Sequence, residues 1–144
     1  MSRLSENRQI WPDPLTGLEW QFESPGEMSW YDAVEYAGSL SLNGRQGWRF
    51  PTIREMETLL DRSRYRPVMR EEIPFRDHLS YWSSTTFGEN TQNAWIIMFD
   101  GAYVLSYYKT NVYHVRCVSG GINSQQLPQY KMNTVNKNIF AVRD

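Results

Sequence analysis

The 144-residue sequence predicts one α+β domain organised on an antiparallel sheet. Three observations carry that class. Apolar residues recur at helical spacing in two segments of the first half, each opened by a hydroxyl side chain. Three or four apolar or alternating runs follow in quick succession after residue 80. Turn dipeptides, Asp100-Gly101 and Thr110-Asn111, separate those runs.

The elements follow in order. Ile10-Trp11 precedes Pro12-Asp13-Pro14, which cannot continue a central strand. Leu18, Trp20 and Phe22 alternate with Glu19 and Gln21, so Arg8–Trp11 and Leu18–Phe22 are expected to form a hairpin-like opening. Ser29 with Asp32 three residues on marks a helix start. Its buried face is expected to hold Trp30, Ala33, Val34, Ala37 and Leu40, with an end near Ser41. Thr52 and Glu55 read as the capping box of a second helix, with Ile53, Met56, Leu59 and Leu60 inward. Pro51 keeps Phe50 out of helical geometry. Residues 62–80 read as a long irregular connection of interleaved Arg, Asp and Glu. Strands are expected at Tyr81–Thr86, Ala94–Phe99, Ala102–Lys109 and Val112–Ser119, the last closing a meander. Ala94–Phe99 is apolar on both faces and suits a central position. A polar extension, 120–144, is set apart from the domain at 1–119 and is expected to pack on its own domain or on a partner.

Composition narrows the function. A formal charge of −1 argues against a nucleic-acid partner. Aromatic residues make up 15% of the chain, an excess that serves a core or a contact surface. A single cysteine, Cys117, allows no internal disulfide. No apolar run follows Met1, and none approaches a membrane span. These features favour a cytoplasmic setting.

Six motifs stand in a fixed order: Thr16-Gly17-Leu18-Glu19-Trp20-Gln21, Ser29-Trp30-Tyr31-Asp32-Ala33, Gly47-Trp48-Arg49-Phe50-Pro51-Thr52, Tyr81-Trp82-Ser83-Ser84-Thr85, Ala94-Trp95 and Val115-Arg116-Cys117-Val118. Over about residues 11–119 the chain resembles the bacterial DUF1566 family, the domain at the C-terminus of the Legionella collagen-like adhesin. The resemblance implies a C-type-lectin-like fold, with two helices packed on a small twisted antiparallel sheet and long irregular loops. It also implies a binding module, in a family whose members are often exported. Relatives often carry a cysteine in the first helix; here that position is Ala37.

No chemistry-bearing constellation emerges. Cys117 and His114 are three apart in one expected strand, so they face opposite ways, although His78 could approach from the loop. The serines of Tyr81–Thr85 lie outside any nucleophile elbow. Two histidines and one cysteine lack zinc-ligand spacing. Glu89, Asn90 and Asn93 could supply oxygen ligands to calcium, but no second motif accompanies them. The expectation is therefore a non-enzymatic module with no cofactor and no metal. Calcium-dependent glycan binding is the alternative, with a formylglycine-generating or glycan-active enzyme behind it.

Trp30, Trp48, Arg49, Pro51, Trp82, Trp95 and Arg116 are assigned to the framework, with Asp32, Glu55 and Asp61 as candidate partners of the two arginines. Arg62, Arg64, Tyr65, Arg66, Arg70, Phe87, Glu89, Asn90, Asn93, Tyr103, Tyr107 and Tyr108 are the candidate contact residues. Their expected partner is a protein, including further copies of the chain, or a glycan.

Overall fold

The computed structural model describes residues 8–121. In chain order the elements are β1 (Ile10–Pro12), β2 (Glu19–Gln21), β3 (Glu27–Ser29), α1 (Trp30–Ser39), α2 (Ile53–Glu57), β4 (Ser80–Thr86), β5 (Asn93–Met98), β6 (Tyr103–Tyr108), β7 (Val112–His114) and β8 (Val118–Ser119). They make two sheets. One is three-stranded in the order β1-β2-β8, and the other five-stranded in the order β3-β7-β4-β5-β6. The expected contact extension at 120–144 lies outside the described residues from position 122 onward.

Local chemistry sets the helix starts. Ser29 accepts a hydrogen bond from the Asp32 amide at 3.1 Å and caps α1. Thr52 accepts from the Glu55 amide, while the Glu55 carboxylate accepts from the Thr52 amide at 2.8 Å, completing the capping box of α2. The α1 face is narrower than its spacing suggests. Ala33 and Ala37 are buried, but Val34 is 44% exposed. The helix ends at Ser39, two residues early, because Leu40 leaves helical geometry at ψ 136.

Within the five-stranded sheet β5 is buried on both faces, which explains its continuous apolar run. Trp95 and Ile97 join the core beneath α2 and the three-stranded sheet, with Trp11, Trp20, Met56 and Tyr81. Ala94 and Ile96 join the core beneath α1, with Ala37, Trp48, Trp82 and Cys117. The irregular connection after α2 adds Val68, Met69, Ile73 and Phe75 to the first core, so its inner side is structural.

Three expectations are corrected. The single antiparallel sheet is in fact two sheets, and one pairing, β4 with β7 at Tyr81 and His114, is parallel. The last run does not close a meander beside β6. Its first part, β7, inserts between β3 and β4, and its end, β8, crosses to the smaller sheet. The intervening Val115 and Cys117 are fully buried, which draws that crossing through the core. The Asp100-Gly101 hairpin exists, but Met98 pairs with Tyr103, so its loop has four residues. The left-handed position is Ala102, at φ 63. Asp100 pairs with Arg66 of the preceding connection, at 2.7 Å.

Candidate contact surface

The Gly47–Thr52 stretch is a joint. The Arg49 backbone exchanges two hydrogen bonds with Val118, at 2.9 and 2.8 Å, and so ties the helical half to the smaller sheet. The Arg49 guanidinium grips both oxygens of Glu55, at 2.8 and 2.7 Å. The carboxylate that caps α2 thus also neutralises the motif arginine. Trp48 is buried, and its indole N–H donates to the Arg45 carbonyl at 3.0 Å. Trp82 and Trp30 reach across to the Met28 and Ser83 carbonyls, at 2.9 and 3.0 Å. Trp95 meets Phe87 edge-on at 5.2 Å, and its indole nitrogen has no hydrogen-bond partner among the described residues.

Arg116 is buried with its plane 3.9 Å over Phe75. It donates to the carbonyls of Gln21 and Phe22 and to the Tyr81 hydroxyl. Its partner is none of the three carboxylates anticipated; Asp77, at 3.9 Å, is the nearby charge. That choice follows from the crossing after β7, which carries Arg116 to the end of β2.

Most of the candidate contact residues separate into three groups. The first is tied up in charge. Arg64 pairs with Asp61 and Glu71, and Arg66 with Asp100. Arg70 is corrected from a surface contact to a buried strut. It pairs with Asp13, whose side chain is wholly buried, and donates to the Thr58 carbonyl at 3.0 Å. Asp13 in turn holds the β1–β2 turn through the Leu15 amide and the Thr16 hydroxyl. The second group faces inward. Phe87 packs on Trp95, and Tyr107 on Tyr113 at 5.7 Å. Asn93 begins β5, with its Oδ1 buried and lacking a hydrogen-bond partner among the described residues. Arg62, Glu89 and Asn90 stand exposed apart from these, and the Asn90 side-chain Oδ1 accepts from the Gln92 amide at 3.0 Å.

The third group is a surface. Tyr65, Tyr103 and Tyr108 are 80%, 61% and 56% exposed, and Leu105 joins them on β6. Arg66 bonds Asp100, and the Val68 amide donates to the Phe99 carbonyl at 2.9 Å. These ties hold the Tyr65 loop against the β5–β6 turn. β6 is also an edge of the five-stranded sheet. Its six residues, Tyr-Val-Leu-Ser-Tyr-Tyr, contain no charge, proline or glycine, the usual devices that blunt an edge. That uncharged run was the available signal in the sequence; the edge position depended on where β7 went.

Two shallow grooves accompany this surface. One, of about 430 Å³, lies between α1 and the joint and is lined by Trp30, Val34, Trp48, Arg49 and Phe50. The other, of about 460 Å³, is lined by Phe75, Asp77, Tyr81, His114 and Arg116.

Cys117, the one thiol of the chain, is fully buried. Burial pushes the Cys117 thiol up to about 12, far from the thiolate range that reaction needs. His114 lies against Tyr81 in the opposite core. Burial also raises Tyr81 to about 12, against the opposing effect of Arg116. Both groups hold their protons longer when folded, so the unfolded chain releases protons first as pH rises. Stability is therefore expected to be intact below about pH 9 and to fall between about pH 9 and 12, by at most about 1.4 kcal/mol per pH unit for each group. Urea midpoints measured across that range check this, and Cys117→Ala should flatten the slope.

Among the described residues, no cluster of three or more His, Cys, Asp or Glu could hold a metal ion, and no helix is long and apolar enough to cross a membrane. No curated protein matches the chain. The sequence profile of the Lcl C-terminal domain matches residues 9–119, spanning β1 to β8 and every motif described above. The chain belongs to the Lcl C-terminal domain family, the DUF1566 domain of the Legionella collagen-like protein.

Proposed function

We propose that this chain is a non-enzymatic, adhesin-like recognition and assembly module with a C-type-lectin-like fold. Its contact surface is the β6 edge together with the adjoining Tyr65 loop. The observation that carries this is an uncharged sheet edge with Tyr103 and Leu105 exposed on its α1 face and Tyr108 exposed on the other, beside the exposed Tyr65 of the adjoining loop. Tyrosines supply large contact area at low entropic cost, and an open edge supplies backbone hydrogen bonds. The chemistry favours a protein partner. The family context supports attachment as the role.

The test is retention of the fluorescently tagged domain on a fixed epithelial cell layer. Tyr65→Ala, Tyr103→Ala and Tyr108→Ala combined should reduce retention at least tenfold with the melting temperature unchanged. Equal retention would overturn the assignment.

Calcium-dependent glycan binding is a second reading. Its specific support is the unsatisfied buried Oδ1 of Asn93, beside the Glu89–Asn90 loop. A chelator that leaves both melting temperature and retention unchanged disposes of it.

A further inference from the structure

We propose that the β6 edge is a homotypic site, at which a second copy pairs its own β6 antiparallel across a two-fold axis at Ser106. This rests on the reading of that edge as the contact surface and names its occupant.

The register follows from the backbone. The Lys109 amide donates to the Gln92 carbonyl at 2.8 Å, so that pair is hydrogen-bonded. Bonding alternates along an antiparallel ladder. Tyr103, Leu105 and Tyr107 therefore spend their backbone groups on β5, opposite Met98, Ile96 and Ala94. Val104, Ser106 and Tyr108 direct theirs outward, although the Tyr108 carbonyl already accepts from the Asn111 amide at 2.9 Å and offers only its second lone pair. Among the described residues no strand pairs with them.

Those three outward positions are self-complementary. With Ser106 on the axis, Val104 of one copy faces Tyr108 of the other, and Tyr108 faces Val104. The outward groups of Val104 and Ser106 and the Tyr108 N–H then meet a partner, and the Tyr108 carbonyl accepts a second bond beside that of Asn111. Residues directly opposite share a face, so each copy continues the other's sheet without exchanging sides. On the α1 side, Leu105 meets Tyr107 of the second copy, an apolar–aromatic pair. Ser106, the smallest side chain of the strand, sits where two identical groups must coexist. The strand carries no charge, so a copy of itself meets no like charge. A charged or bulky foreign strand gains nothing comparable from this arrangement.

Six residues a side is fewer than the roughly 20–30 of a standard interface, so the dimer is expected to be concentration-dependent. The test is sedimentation velocity of the full chain together with cysteine trapping. Ser106→Cys places two thiols about 5.5 Å apart, within reach of a short bifunctional maleimide. Val104→Cys places them about 14 Å apart, beyond it. The native Cys117 is fully buried and does not compete. The proposal expects a covalent dimer from Ser106→Cys and at least tenfold less from Val104→Cys. Leu105→Lys sets two ammonium groups about 7 Å apart across the axis and should weaken self-association at least tenfold without lowering the melting temperature. A monomer at every concentration, or equal trapping at both positions, overturns the proposal. Loss of retention in the tyrosine variants alongside a strictly monomeric chain would remove the two-fold pairing and leave the contact surface standing.

Discussion

Arg70→Ala is expected to destabilise the domain by about 3–5 kcal/mol, because it leaves the Asp13 carboxylate buried and uncompensated. The Asp13 side chain is 0% exposed and that of Arg70 7%. Asp13 cannot turn to water without opening the β1–β2 turn that it holds, while Arg70 also reaches the half-exposed Glu72 at 2.7 Å. Arg70 also donates to the Thr58 carbonyl just beyond α2, so its loss unpins the loop that returns along Leu60. Urea denaturation checks the magnitude. The double variant Asp13→Leu/Arg70→Leu should recover part of the loss, since it removes both charges together. A loss below about 1 kcal/mol for Arg70→Ala would show that the pair is replaceable, like an exposed one.

Trp82→Ala is expected to cost about 3–5 kcal/mol, the range for deleting a large buried ring. Trp82 is fully buried at the centre of the α1-side core. Its ring stands edge-on to Tyr113 at 5.0 Å. Its indole N–H holds the Met28 carbonyl of β3 from a strand that β3 does not touch directly. Removal therefore opens a cavity and loosens the opposite flank of the sheet. Trp82→Phe keeps most of the volume but orphans the Met28 carbonyl, and should cost about 1–3 kcal/mol. Thermal unfolding of the two variants separates packing from hydrogen bonding. Equal losses would show that the hydrogen bond, not the ring, matters.

The parts of the fold that were legible in the sequence are those decided by neighbours in the chain. Ser29 with Asp32, and Thr52 with Glu55, declare helix starts through bonds that span three residues. The apolar run of β5 declares a strand buried on both faces. What escaped is long-range. Nothing in Val112–Ser119 says that it splits between two sheets, because the strands that receive it, β3, β4 and β2, lie far off in sequence. Arg70 shows the same limit. It sits in a run of mixed charges that reads as solvated, and its burial depends on Asp13, supplied by a turn 57 residues away. Arg116 was legible as a buried cation, but its carbonyl partners on β2 were not.

The contact surface divides in the same manner. Tyrosines and arginines are sound candidates by residue type. The fold then spends Arg64, Arg66 and Arg70 on ion pairs and turns Tyr107 inward. It leaves Tyr65, Tyr103 and Tyr108 in solvent. The joint at Gly47–Thr52, the most distinctive stretch of the sequence, binds the two halves of the domain together and borders one groove.

Hydroxyl-radical footprinting of the domain, free and in the presence of the cell layer, tests the proposed contact surface most directly, because it reads each aromatic side chain in place. The account predicts that oxidation of Tyr65, Tyr103 and Tyr108 falls at least threefold on binding, while Tyr31, exposed and edge-on to Trp30 of the α1 groove, is unchanged. Protection of Trp30 and Tyr31, with Tyr103 and Tyr108 as reactive as in the free domain, would contradict it and move recognition to the α1 groove.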